Sequence, residues 1–304
     1  MTGNISASLR QRLLNLARDQ GRPFQEVLQF YVMERFLYRL SQSAYADRFV
    51  LKGALMLQVW ESPQARPTMD IDMLGRTGND LDLLLGHIRE IMDADLEVED
   101  GLTFYGDSLK AEVITEDAEY EGVRIRGWVE LDRARARLQV DIGFGDAVVP
   151  EPQRQSYPVL LGQPAPELQC YSRESTIAEK FQAMVALGTI NSRMKDFYDI
   201  WLLSRQFSFE AAPLLRAITA TFERRDTQVP RASLFGDDFA QEKQGQWRGF
   251  LRRLGDEVPA EPEFANVLAV LENFIGTVLA VDAGEAKALH WPAGGPWNSR
   301  GRGK

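Results

Sequence analysis

Cysteine and histidine are scarce in this chain, and each scarcity removes a class of chemistry. Cys170 is the single cysteine among 304 residues, so no intramolecular disulfide can form and the chain suits a reducing cytoplasm. His87 and His290 are the only histidines, too few for a histidine-rich metal centre and a poor basis for histidine acid–base chemistry. Long apolar runs are missing as well. The longest, Val267 to Val281, is broken by Glu272, Asn273 and Thr277 and falls short of a membrane span. Met1 to Ser8 is polar and small, without the charged-then-apolar order of a secretory signal. Positive charge is in deficit: a formal net charge of −9 argues against coating nucleic acid through bulk charge. A local basic patch remains open, because Arg124, Arg126, Arg133, Arg135 and Arg137 crowd one short region.

What is present reads as an ordinary soluble chain, 44% hydrophobic and 26% charged. Its length admits two domains, or one with helical additions. Helical spacing covers residues 6–20, closed by Gly21, and a second helix opens at Pro23 and runs to about Ser41. Phe49-Val50-Leu51 reads as a short strand, Gly53 as a tight turn, and Leu55 to Trp60 as a helix. A strand over Met69–Leu74 and a helix over Leu81–Met92 follow. From Leu102 to Phe144 apolar and polar residues alternate in the manner of strands. Pro150 to Pro166 carries five prolines and reads as a connection. Beyond it the pattern is helical over Thr176–Leu187, Ser192–Arg205, Ala211–Phe222, Phe239–Leu254 and Pro262–Val281, before a Gly-rich, basic end from Ala293 to Lys304 that is expected to be mobile. The expected fold is therefore α+β: a mixed sheet with N-terminal helices and a C-terminal helical domain. The expected divisions are 1–46, 47–150 and 151–304.

The most informative residues are Asp70-Ile71-Asp72, seventeen positions beyond Gly53-Ala54 and Lys52, and Asp141 between Val140 and Ile142. Carboxylates at i and i+2 of a strand share one face, and the apolar Ile71, Met73 and Leu74 give that strand a buried side. A third carboxylate from a neighbouring strand would close an oxygen cluster of the kind that holds Mg²⁺ against substrate phosphates. For an isolated D-x-D pair the commoner explanation is a solvated face; for Asp141 the alternative is a pair with a nearby arginine. Gly53 could let backbone N–H groups approach a phosphate, or be a plain turn glycine. Lys52, Arg66 and Thr68 could contact phosphate, and an exposed lysine beside a turn is an equal reading of Lys52. Asp146 reads as a loop cap.

Two helical blocks carry further charged residues. Thr176 and Glu179 fit a capping box; Lys180 lies one turn on, an exposed helix lysine placed to face phosphate if the helix packs over the active cleft. Lys195 and Asp199, four apart, fit an intrahelical ion pair, while Asp196 faces elsewhere and could orient Lys180.

The run Phe49 to Ala54, Arg66 to Asp72, Gln139 to Asp146, Ala178-Glu179-Lys180 and Arg193 to Asp199 resembles the AbiEii/AbiGii (MenT-like) nucleotidyltransferase toxins of type IV toxin–antitoxin systems, over roughly residues 45–205. The resemblance implies a polymerase-β-like nucleotidyltransferase sheet, with which the order of elements is compatible. It implies that Asp70 and Asp72 bind metal and nucleotide, that Asp141 is the third acid, and that Lys180 and Asp196 complete the catalytic set. It places nucleotide at Lys52, Gly53, Arg66 and Lys180, and metal (Mg²⁺, with Mn²⁺ as the alternative) at Asp70, Asp72 and Asp141. The implied partners are an NTP, an RNA acceptor such as the tRNA 3′ end, and an antitoxin encoded nearby, with no membrane. Ala54 departs from the small polar residue or second glycine usual there, which leaves phosphate contact to backbone N–H groups. Two other outcomes stay open: transfer to a protein or small-molecule hydroxyl, and a non-catalytic binding module on the same fold.

Overall fold

The structure, a computed structural model, describes residues 5–62, 68–116, 120–230, 235–236, 238–254 and 260–299. It separates into two compact units. One takes the described residues of 1–61, 67–145 and 153–170; the other takes Ser62 and the described residues of 146–152 and 171–304.

The first unit opens with α1 (Ile5–Asp19) and α2 (Phe24–Gln42), set apart by Gly21 at φ +65° and by Pro23. Fourteen consecutive residues of α2, Val27 to Leu40, are buried, so this helix runs inside the unit rather than along its surface. That burial includes charge. Glu34 and Arg35 are each 1% exposed and pair at 2.9 Å, and Glu34 also accepts from the Leu160 N–H at 2.7 Å. Burial pushes the Glu34 carboxyl up to about 7, against the opposing pull of Arg35 and Leu160.

A seven-stranded sheet follows. Its strands are β1 (Phe49–Lys52), β2 (Ile71–Gly75), β3 (Leu102–Glu116), β4 (Tyr120–Leu131), β5 (Ala134–Phe144), β6 (Gln153–Ser156) and β7 (Glu167–Cys170), in the spatial order β3-β4-β5-β2-β1-β7-β6. The sheet is mixed. β2 runs parallel to β5 and β1 parallel to β7, and the other pairings are antiparallel. A 3₁₀ turn at Gly53–Leu55 leads into the short α3 (Met56–Val59), and α4 (Leu81–Met92) is capped by Asp80, whose side chain accepts from Leu83 N. The α+β class and mixed sheet expected from the sequence are present. The proline-rich connection contains one strand that alternation could not reveal, since the exposed β6 has no buried face.

The second unit is mostly helical: α5 (Arg173–Leu187), α6 (Met194–Gln206), α7 (Ala211–Arg224), α8 (Phe239–Leu254), α9 (Phe264–Leu271) and α10 (Thr277–Ala280), the last two joined by a π-helical turn at Glu272–Gly276. Phe197, Phe239, Trp247 and Phe264 meet ring to ring in its core. A three-stranded sheet of β8 (Phe209–Glu210), β9 (Leu289–Trp291) and β10 (Asn298–Ser299) was not expected. Strands of two or three residues are too short to show a period. β10 falls within the expected mobile end, where Trp297 stacks on Phe274 and donates from Nε1 to its carbonyl at 2.9 Å; residues 300–304 lie outside the described residues. Among the described residues, no helix is long and apolar enough to cross a membrane.

Candidate active site

Every residue of β1 is buried, and Lys52 at its end is only 6% exposed. The reading of Lys52 as an exposed lysine therefore fails. The register sets Lys52 directly opposite Asp72 of β2, and facing residues of an antiparallel pair project to the same side. Gly53 then reverses the chain at φ +72°, where a Cβ would fall 2.6 Å from Asp72 Cγ. Two independent constraints thus require glycine: the left-handed backbone and the approach of the Asp72 carboxylate. Gly53→Ala should cost roughly 1–2 kcal/mol from the backbone alone and should push Asp72 out of place. A lower melting temperature together with loss of metal-induced stabilisation is the expected result; an unshifted metal titration would show that Asp72 does not need the space.

β2 begins at Ile71, so Asp70 precedes the strand rather than lying within it. Thr68 is buried and donates its hydroxyl to Asp70 Oδ1. Gln29 of α2, 3% exposed, donates through Nε2 to the carbonyls of Met69 at 3.2 Å and Arg137 at 2.9 Å, tying the approach to β2 onto β5. Sequence reading missed Gln29, although one amide between Val27-Leu28 and Phe30-Tyr31 was the available signal. Arg66 lies outside the described residues.

Parallel pairing places Asp72 beside Asp141 of β5. One carboxylate oxygen from each of Asp70, Asp72 and Asp141 lies within 4.8 Å of the others. Asp141, 4% exposed, is also clamped by Arg124, from Nε to Oδ1 at 2.8 Å and from Nη2 to Oδ2 at 2.6 Å. The hydrogen bond to Asp141 raises the Arg124 pKa further above its ordinary value. Gln139 reaches the same carboxylate at 3.3 Å. The arginine pair and the acidic cluster, weighed as alternatives for Asp141, therefore coexist: Oδ2 accepts from both Arg124 and Gln139, while Oδ1, bonded to Arg124 Nε, keeps a second lone pair. Three carboxylates this close repel one another, and an all-oxygen donor set is the one that Mg²⁺ or Mn²⁺ takes. The residues fit such an ion.

The basic cluster is less free than its sequence implied. Arg124 is held by Asp141, Arg126 by Glu112 at 2.6 Å and by Gln139 at 2.9 Å, and Arg135 by Glu130 at 3.0 Å.

In the second unit, Ser172 caps α5 and accepts from Ser175 N at 3.0 Å. Thr176 is not the cap; its Oγ1 is buried and without a hydrogen bond in the structure. Lys180 is not an exposed lysine either. At 13% exposure its Nζ sits 2.8 Å from Asp196 Oδ1 and 2.8 Å from Asp199 Oδ2. Asp199 thus turns toward Lys180, and Lys195 is exposed. Asp196, fully buried, also meets Arg193 Nε at 2.7 Å. Burial raises the Asp196 pKa, but Lys180 and Arg193 together outweigh it and hold the carboxyl below its ordinary value. The orienting contact expected between Asp196 and Lys180 is made. Asp146, expected to cap a loop, accepts instead from Arg225 at 2.8 Å.

A family model described as nucleotidyl transferase AbiEii toxin, type IV toxin–antitoxin system, matches residues 35–270. This chain belongs to the AbiEii family. The matched span contains every residue discussed above from Lys52 to Asp199. Membership in AbiEii makes nucleotidyl transfer the reaction class, and implies an NTP substrate and an antitoxin partner. Two solved structures are similar in outline: a candidate nucleotidyltransferase from H. pylori (17% identity, TM-score 0.48, 84% of this chain and 96% of that one) and JHP933 from Helicobacter pylori (16% identity, TM-score 0.46, 82% and 93%). No curated protein matches the chain.

Proposed function

We propose that this AbiEii-family protein transfers a nucleoside monophosphate from an NTP to a hydroxyl of RNA, with the tRNA 3′ end as the acceptor that the family resemblance implies. The observation that carries the reading is the convergence of Asp70, Asp72 and Asp141 beside a turn where only glycine fits against Asp72. The acceptor oxygen bonds to the α-phosphorus, the bond to the bridging oxygen breaks, and pyrophosphate leaves in line with the electron pair. Asp70 and Asp72, with Asp141, would hold Mg²⁺ or Mn²⁺. When bound, such an ion supplies neutralisation of triphosphate charge and a lower pKa at the attacking hydroxyl. Asp141, fixed in orientation by Arg124, receives the hydroxyl proton. Backbone N–H groups at the Gly53 turn contact phosphate, and Lys52 lies on the same side. The family resemblance adds Lys180 and Asp196 to the catalytic set, and Asp196 positions Lys180. The cytoplasm, where NTPs and RNA meet, is the proposed location.

Incubation of the purified chain with labelled NTPs and either total RNA or total protein tests this directly. Label in RNA, abolished by a chelator, is the expected result. Label in protein would replace the acceptor, and NTP binding without labelled product in either pool would make the chain a binding module.

A further inference from the structure

The strands on the far side of the acidic cluster carry a feature that neither the metal nor the triphosphate uses. β4 presents Arg124, Arg126 and Trp128 on the face that β5 lines with Asp141, Gln139 and Arg137; the register sets Arg124 opposite Asp141, Arg126 opposite Gln139 and Trp128 opposite Arg137. Trp128 is 44% exposed, and the Arg137 guanidinium lies 5.2 Å from its ring centroid. Lys110 of β3 faces Arg126 and is exposed, with no hydrogen bond or ion pair among the described residues. Between Tyr105 and Lys110 the β3–β4 register shifts. Ser108 holds the shifted segment, accepting from Trp128 N at 2.8 Å and donating to the Tyr105 carbonyl at 2.6 Å. Beside this irregularity lies a groove of about 370 Å³, lined by Lys110, Trp128 and Arg137 together with the paired Arg126 and Glu112.

We infer that this groove is the platform on which the single-stranded 3′ end of an RNA acceptor lies, with a base stacked on Trp128 and phosphates met by Lys110 and Arg137. The inference rests on the nucleotidyl-transfer reading and names where its acceptor binds. Three observations favour it. Sheet order puts Lys52 and Gly53 on the β1 side of the carboxylates and the groove on the β4–β3 side, and in-line displacement requires leaving and attacking groups on opposite sides. Arg137 is four residues from Asp141 on the same face of β5, about 13 Å by strand rise, a span of a few nucleotides. Exposed aromatics interleaved with cations bind single strands, whose bases are free to stack, whereas a duplex hides them. Arg124 and Arg126 are held by Asp141 and Glu112, which leaves Lys110 and Arg137 among the groove's lining cations to meet phosphate.

The test is binding of a labelled single-stranded oligoribonucleotide with a free 3′ hydroxyl to the full chain, followed by anisotropy. Trp128→Ala should weaken binding on the order of tenfold or more, while Trp128→Phe, which keeps a stacking face, should recover most of it. Lys110→Gln with Arg137→Gln should flatten the salt dependence of binding. Since Trp128 is half exposed, these variants should melt like the parent. An affinity indifferent to Trp128, or equal binding of a blunt duplex, overturns the platform. Asp72→Asn separates the two readings, because it should lose transfer yet bind the oligonucleotide. If the chain labels RNA while Trp128→Ala keeps its KM for RNA, the platform fails and the reaction stands. If the chain labels only protein, the acceptor reading fails and the platform fails with it, even where the strand still binds through Trp128.

Discussion

Asp72→Asn lowers nucleotide transfer by at least about a hundredfold, equivalent to about 2.7 kcal/mol of transition-state stabilisation. Asp72 lies at the centre of the cluster, beside Asp141 across the parallel pair and against Gly53 at the turn. Replacing it leaves two carboxylates, too few to neutralise and hold a divalent ion against the triphosphate. The change removes one of three mutually repelling charges and also the charge that faces buried Lys52 across the register, so the variant should still fold. The rise in melting temperature expected from Mg²⁺ or Mn²⁺ in the parent should vanish. Single-turnover transfer and melting with and without the ion measure both. Parental transfer with a parental metal-induced shift would remove Asp72 from the site.

Lys180→Ala has a large effect of another kind. Its ammonium is the shared partner of Asp196 and Asp199, both almost wholly buried, and deleting it removes the charge that holds these two carboxylates together, while Arg193 still meets Asp196. Breaking a buried pair in this way costs about 3–5 kcal/mol, so the variant should melt well below the parent. The pH profile identifies the cause. The depressed folded pKa of Asp196 means that its contribution is fully present above the ordinary value of 3.8 and is lost as pH falls through the depressed one. In Lys180→Ala the cost of burying the Asp196 charge meets less opposition, and that contribution should shrink. Because the alanine variant confounds stability with activity, Lys180→Arg gives the cleaner reading: it keeps the charge and the pairs, holds the melting temperature near the parent, and loses transfer if an ammonium must meet the triphosphate. Full transfer by Lys180→Arg would confine this position to the buried cluster.

Part of the candidate site's geometry was legible in the sequence because it obeys short-range rules. Alternation predicts that Asp70 and Asp72 share a side, and their carboxylates converge although Asp70 precedes β2; apolar flanks mark Asp141 as enclosed. Long, strongly patterned helices such as Leu81–Met92 and Phe239–Leu254 appear with the expected bounds. What stayed hidden depends on partners distant in sequence. A pair of Asp141 with a nearby arginine was an open alternative, but that Arg124 makes it depends on the β4–β5 register, which no spacing reveals. Lys180 reads as a surface lysine until α6 supplies two acids. The α5 cap went to Ser172 rather than Thr176 because the helix starts a turn earlier than its apolar spacing does.

The parallel register of β2 and β5 ties the survival of the acid cluster to that of the hydrophobic interior. Asp141 alternates with Val140 and Ile142, which are almost completely buried on the opposite side of β5. A slip of one residue would turn Asp141 into the interior and bring both aliphatic side chains out to the reactive face. Such a strand has no neighbouring alignment that is folded but chemically silent. A one-residue insertion or deletion within β5 is thus a folding defect, and inactivity without unfolding must come from side-chain replacement or from an occluding partner.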